Sequence, residues 1–239
     1  MTSLKYEGLT LFVLLAVAYS IIVEQCVVWL VRKYVQGHPK GRSALLLVGG
    51  LFLTSRVFVP VAMVVCTESS SVFSMGLYFP TSFWVLLATL VAFLTMKSFS
   101  LLEDVYRVKY LNKDPYTIVK LYTPENYKKE FLSQVIISGL PEEFLYRGYF
   151  LSRLIMGFGA IAGIILSSLY FGIVHLWSTV KGKRAGDKYK ALRTFLNGII
   201  YATIFIYFGL IPCVILHICG NLSHGWISKL VLLKLGLLK

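Results

Sequence analysis

Long apolar runs alternate with short charged segments along this chain. The runs at 9–31, 44–66, 79–96, 131–151 and 155–178 are each close to the ~20 residues that cross a bilayer as a helix. A further apolar stretch from 191 to 227 is too long for one crossing. Gly209-Leu-Ile-Pro212 is the natural place for it to fold back as a hairpin. The pattern predicts an all-α polytopic transmembrane helix bundle of seven spans, or eight if a further hairpin is present. No internal repeat stands out, so residues 1–239 read as one transmembrane domain.

The longest polar segment, 97–130, has its own periodicity. Leu101, Leu102, Val105 and Val108 recur at helical spacing with Tyr106 and Tyr110. Asn112-Lys-Asp-Pro115 ends that helix, and Thr123 followed by Pro124 predicts the start of another. Both read as helices on the membrane surface or as cytosolic extensions of a span.

Charge refines this picture. The chain has 24 Lys and Arg against 11 Asp and Glu, for a net charge of +13, yet 57% of it is hydrophobic. The basic residues flank apolar runs, which is the positive-inside pattern rather than a nucleic-acid surface. The first, third and fifth loops and the C-terminal tail hold 20 of the 24; the N-terminus and the even loops hold only Lys5 and Arg153. The odd loops and the C-terminus are therefore expected in the cytosol of a multi-pass protein, in a prokaryotic plasma membrane or the endoplasmic reticulum. The apolar run continues past Ala18 to Val23, which argues against a cleaved signal peptide. Cys26, Cys66, Cys213 and Cys219 lie in or at the ends of apolar runs, without zinc-type or disulfide spacing.

The candidate chemistry is the charge left inside the spans. Glu142, Glu143 and Arg147 fall within six residues of an apolar run, and each costs a few kcal/mol at the membrane centre. Glu143 and Arg147 are four apart and share a helix face, while Glu142 points about 100° away. One carboxylate can thus be balanced by the arginine while the other faces a cavity as a general base or acid. Pro141 permits a kink just before them. Phe171 and His175 are four apart on the next span; His217 and Asn221 repeat that spacing, with His224 a further turn along. Neutral imidazole and carboxamide donors on one face suit an oxyanion. Glu24 and Arg56 are read as a structural pair between the first two spans. If a helix starts at Phe131, Glu142 lies about 16 Å along it. His175 falls nearer the cytosolic end and His217 nearer the outer end. The three motifs meet only if helices tilt or the hairpin at 209–212 is buried.

The ordered set Glu142-Glu143-x-x-x-Arg147, Phe171-x-x-x-His175 and His217-x-x-x-Asn221 resembles the CPBP (CAAX protease and bacteriocin-processing, Abi) family of intramembrane glutamate endopeptidases, which includes the Ras-converting CAAX prenyl endopeptidases. The resemblance covers about residues 131–228. It implies that Glu142 with His175 activates a water, that His217 and Asn221 stabilise the oxyanion, and that Glu143, Arg147 and Phe171 support them. The implied partners are the lipid bilayer and a peptide or prenylated protein C-terminus, from which the last three residues are removed. A basic cytosolic rim would attract the peptide carboxylate. No cofactor is expected. A zinc peptidase using Glu142, His175 and His217 is disfavoured, because there is no His-Glu-x-x-His helix. A non-catalytic immunity, scaffold or sensor protein is the alternative from the binding class, and a proton-relay transporter is another.

Overall fold

The computed structural model describes residues 14–16, 18–19, 21–23, 26–27, 29–30, 42–67, 75–77, 82–180 and 188–238. The protein is all-helical, with no strand among these residues. Glu24 and the loops at 31–41 and 181–187 lie outside the described residues.

Helix α1 runs through residues 42–67 with two wide π turns, Thr54–Phe58 and Met63–Thr67. Pro60 has no N–H to offer and its ring crowds the carbonyl of Arg56, so the helix widens there. That widening carries Arg56, which is buried.

Helix α2, Phe83–Tyr110, starts on Ser82, whose side chain accepts from the Trp84 N–H. It passes through Lys97 without a break and so is longer than the predicted span, which ended at residue 96. Phe83, Trp84, Leu90, Val91 and Leu94 are exposed on it, whereas Lys97, Ser100, Glu103 and Asp104 are buried. This inversion of the soluble pattern is what a helix shows when its outer face meets lipid and its inner face meets a polar interior.

Two short helices follow. α3, Pro115–Tyr122, is capped by Asp114, which accepts from the N–H groups of Tyr116 and Thr117. α4, Tyr127–Ile136, is capped by Asn126, which accepts from the Lys129 N–H. The start predicted at Thr123-Pro124 is thus displaced by three residues, because Asn126 supplies the cap. Asp114-Pro115, read as a breaker, is also a start signal.

The predicted single span 131–151 does not form. α4 ends at Ile136, and a new helix, α5, runs through 139–158 as Gly139–Glu143, the π segment Phe144–Leu151, and Ser152–Phe158. Pro141 is therefore in the first turn of a helix, where its missing N–H costs nothing. Arg153, expected in a loop, lies inside α5, is buried, and donates to the Ser152 hydroxyl.

Gly159 (φ +81°) turns α5 into α6, Ala160–Val180, and Gly209 (φ +82°) turns α7, Lys188–Phe208, into α8, Leu210–Lys234. Both turns need the left-handed conformation that glycine adopts without a Cβ penalty. Among the described residues, four helices are long and apolar enough to cross a membrane: 47–65 within α1, α2, α7 and α8. Shorter apolar helices lie at Leu14–Val23 and Ala160–Leu176. α6 packs along α7, and α8 packs on α2, α3 and the start of α5.

Candidate active site

Chain reversals bring the motifs to one level. Glu142 lies 17 residues before Gly159 and His175 lies 16 after it, so the α5–α6 hairpin sets them side by side. Tyr201 and His217 are each eight residues from Gly209 and stack with ring centroids 5.4 Å apart. The α7–α8 turn is itself buried: Leu210 and Cys213 are fully enclosed, and the Leu210 N–H donates to the Gly76 carbonyl at 2.9 Å. Leu210 lies beside Gly148 of α5. From that level Glu142 is six residues back and His217 seven onward, about 9 and 10 Å of helix. Burial of the hairpin is one of the two ways expected for the motifs to meet.

Glu142, His175, His217 and Asn221 line one cavity of about 380 Å³, together with Phe171. Glu142 stands in the first turn of α5, where the helix dipole favours negative charge, and Glu143 follows it. The break at 137–138 puts Glu142 there, and it was signalled by Ser138-Gly139 followed by Pro141. Glu142 Oε1 accepts from Arg56 Nη1 at 3.3 Å and from Ser138 Oγ at 3.4 Å. Arg56 Nη1 also donates to the Ile137 carbonyl at 3.4 Å, and the guanidinium lies 4.2 Å from the Phe52 ring centroid. Arg56 is thus a counter-ion of Glu142. The pairing with Glu24 expected from the sequence falls outside the described residues, and the contact with Glu142 was hidden because the sequence does not specify which distant helices an arginine will face.

Glu143 is fully buried and belongs to the protein interior. Its Oε2 is 3.4 Å from Arg147 Nε, and its Oε1 accepts from His217 Nδ1 at 2.7 Å. Arg147 is caged by aromatic faces, with Phe171 at 4.2 Å and Tyr201 at 4.9 Å from its Cζ. The carboxylate at Nδ1 sets the tautomer. A neutral His217 then offers Nε2 as an acceptor, 3.9 Å from Glu142 Oε2. With Nδ1 donating to Glu143, His217 can donate into the cavity only when both nitrogens carry a proton.

His175 Nδ1 donates to the Phe171 carbonyl at 2.8 Å, which makes its Nε2 an acceptor, and its ring packs edge-on against Phe171. Asn221 Nδ2 donates to Gln134 Oε1 at 2.8 Å, and Gln134 Nε2 donates in turn to Glu130 at 2.7 Å. Sequence reasoning missed Gln134, since a polar residue near the end of a helix carries no signal of its own. His224 lies further along α8, with Nε2 3.4 Å from Asp104 Oδ2. Among the described residues, no group of three His, Cys, Asp or Glu side chains is arranged to hold a metal ion.

Comparison with known families adds to this geometry. Residues 126–223 match the family model described as Type II CAAX prenyl endopeptidase Rce1-like. No curated protein and no solved structure matches the chain. The matched segment runs from the Asn126 cap past Asn221, and so contains all three motifs. The match agrees with the four apolar helices of membrane-crossing length, which point to an integral membrane protein. Residues 126–223 are thus similar to the Rce1-like family, in agreement with the family that the three motifs resemble.

Proposed function

We propose that this protein is an intramembrane endopeptidase that hydrolyses a peptide bond with a water activated by Glu142, and that its substrates are prenylated C-terminal tails. The observation that carries this reading is the convergence of Glu142, His175, His217 and Asn221 on one 380 Å³ cavity.

In this mechanism Arg56 and Ser138 hold Oε1 of Glu142, and the other carboxylate oxygen faces the cavity. A water between Glu142 and His175 Nε2 gives its proton to Glu142 as its oxygen attacks the scissile carbonyl carbon. The carbonyl oxygen becomes an oxyanion. It takes hydrogen bonds from the remaining Asn221 Nδ2–H and from Nε2–H of a protonated His217, whose charge Glu143 balances. The C–N bond then breaks, and Glu142 returns the proton to the leaving amine. General base catalysis supplies about 10²–10⁴-fold and each oxyanion donor about 10²–10³-fold.

An apolar groove of about 520 Å³ runs between α2 and α7, lined by Trp84, Leu87, Val91, Ile200 and Phe208 among others. Its α2 wall ends at Ala92, next to Phe93 of the polar cavity, and Trp84 and Val91 are exposed on the bundle's outer face. A prenyl chain entering sideways from lipid matches that groove. The cationic ends of α2 and α7 support a cytosolic setting for the opposite mouth of the cavity.

The test is cleavage of a prenylated peptide by the purified protein in lipid nanodiscs. Glu142→Gln should reduce the rate at least 10³-fold with an unchanged melting temperature, and His217→Ala at least 10²-fold. Full cleavage by either variant would falsify the assignment. Activity abolished by a strong chelator and restored by zinc would replace the mechanism with a metal-dependent one.

A further inference from the structure

Away from Glu142 the same cavity ends in a second polar cluster, formed by α2, α7 and α8. Lys97, Arg193, Asn197 and His224 line it. Glu103 is shared between Arg107 and Arg193, the latter at 3.1 Å. Asp104 accepts from Ser228 at 2.6 Å and lies 3.4 Å from His224. Three cations, Lys97, Arg107 and Arg193, thus face two acids, Glu103 and Asp104. Glu130, on the opposite wall, accepts a hydrogen bond from Gln134.

The surplus charge is Lys97. It is 6% exposed, and its ammonium donates to the Gly220 carbonyl beside the ring of Phe93, with no ion pair among the described residues. A backbone carbonyl satisfies one of three N–H donors and none of the charge, and a buried ammonium without an anion is costly. One turn of α7 from both Arg193 and Tyr201, Asn197 Oδ1 is buried with no hydrogen-bond partner. The site therefore offers a cation without its anion and an acceptor without its donor. The end of a peptide supplies both, a carboxylate and a backbone N–H.

Helix geometry supplies the spacing. Gly220, which Lys97 reaches, is about 5 Å beyond His217 along α8, and His224 is about 10 Å beyond. An extended peptide advances about 3.3 Å per residue, so two to three residues bridge the interval from the scissile bond to the cluster. We propose that Lys97 binds the free α-carboxylate of the leaving peptide while Asn197 Oδ1 accepts one of its backbone N–H groups. The inference rests on the peptidase reading for its orientation, and it makes Lys97 the residue that sets the length of the released fragment.

Binding of an N-acetylated apolar tripeptide, as the free acid and as the C-terminal amide, to the protein in nanodiscs tests this without turnover. The wild type should bind the acid at least tenfold more tightly than the amide. Lys97→Met should abolish the preference, Lys97→Arg should keep most of it, and Asn197→Ala should weaken both ligands several-fold at a constant ratio. Glu142→Gln, which removes cleavage, should retain the preference. Equal affinity for acid and amide in the wild type, or an undiminished preference in Lys97→Met, overturns the proposal. Hydrolysis is scored separately. An acid preference in a wild-type protein that cleaves no peptide leaves this subsite standing and rejects the peptidase; equal cleavage of acid and amide substrates rejects the subsite alone.

Discussion

At one end of the cavity every charge has a partner, and at the other the cations outnumber the acids. Around the motifs, Glu142 is held by Arg56, and Glu143 lies between Arg147 and His217. Around Lys97, two acids are divided among three cations, with His224 and Ser228 also drawing on Asp104. Balanced pairs in a low-dielectric interior fix geometry, because each group is held by the group that compensates it. An unbalanced cluster fixes less and waits for an ion. The difference suggests that one end is built to hold reacting groups still and the other to recognise something that arrives.

That contrast can be broken from the balanced end first. Arg147→Met strips Glu143 of its cation in a fully enclosed site, so a loss of about 3–5 kcal/mol of stability is expected. Denaturation in detergent should show it, and a loss below 1 kcal/mol would mean that His217 alone can hold Glu143. Arg56→Ala should lower peptide cleavage about 10–100-fold with a smaller effect on stability, and Arg56→Lys should recover part of the rate. Unchanged cleavage in Arg56→Ala would show that Glu142 is oriented without it. At the unbalanced end, Ser228→Ala removes one hydrogen bond to Asp104 and should cost about 1–3 kcal/mol, with cleavage of a good substrate little changed.

The smallest effect lies outside the bundle. Asp114 caps α3, and hydrogen bonds from the Thr117 hydroxyl and N–H groups hold its carboxyl below the usual carboxylate range. A lowered value means that the cap stabilises above the unfolded-state range and is lost as pH falls through the lowered one. Asp114 is fully exposed, so the expected outcome is a slight drop in melting temperature for Asp114→Asn at neutral pH that disappears once the carboxyl of Asp114 is protonated in acid. A difference that persists there would assign the effect to something other than the charge.

The sequence made local relations legible and left relations between distant helices hidden. Pairs four apart, such as Glu143 with Arg147, project from one helix whatever surrounds them, and the hairpin at Gly209 follows from glycine and run length. The break at Ile137-Ser138 has a local signal in Ser138-Gly139 and Pro141, but hydropathy records composition, and the run from Phe131 to Leu151 passes over it without a change. Lys97 was read as the start of a loop for the same reason: one lysine after an apolar run does not reveal that Glu103, Asp104 and Gly220 will enclose it. Arg56 and Gln134 act on motifs more than eighty residues away, a separation that only packing can close.

Arg56 also separates two kinds of boundary. The segment matching the family ends its claim at Asn126 on one side, yet the guanidinium that holds Glu142 is contributed by α1, far upstream. Heredity and chemistry thus divide the polypeptide at different places. A fragment beginning at residue 82 should insert with its motifs intact and remain inert. Supplying α1 as a separate polypeptide in the same membrane should revive it, so split-chain complementation would treat α1 as a removable prosthesis for Glu142.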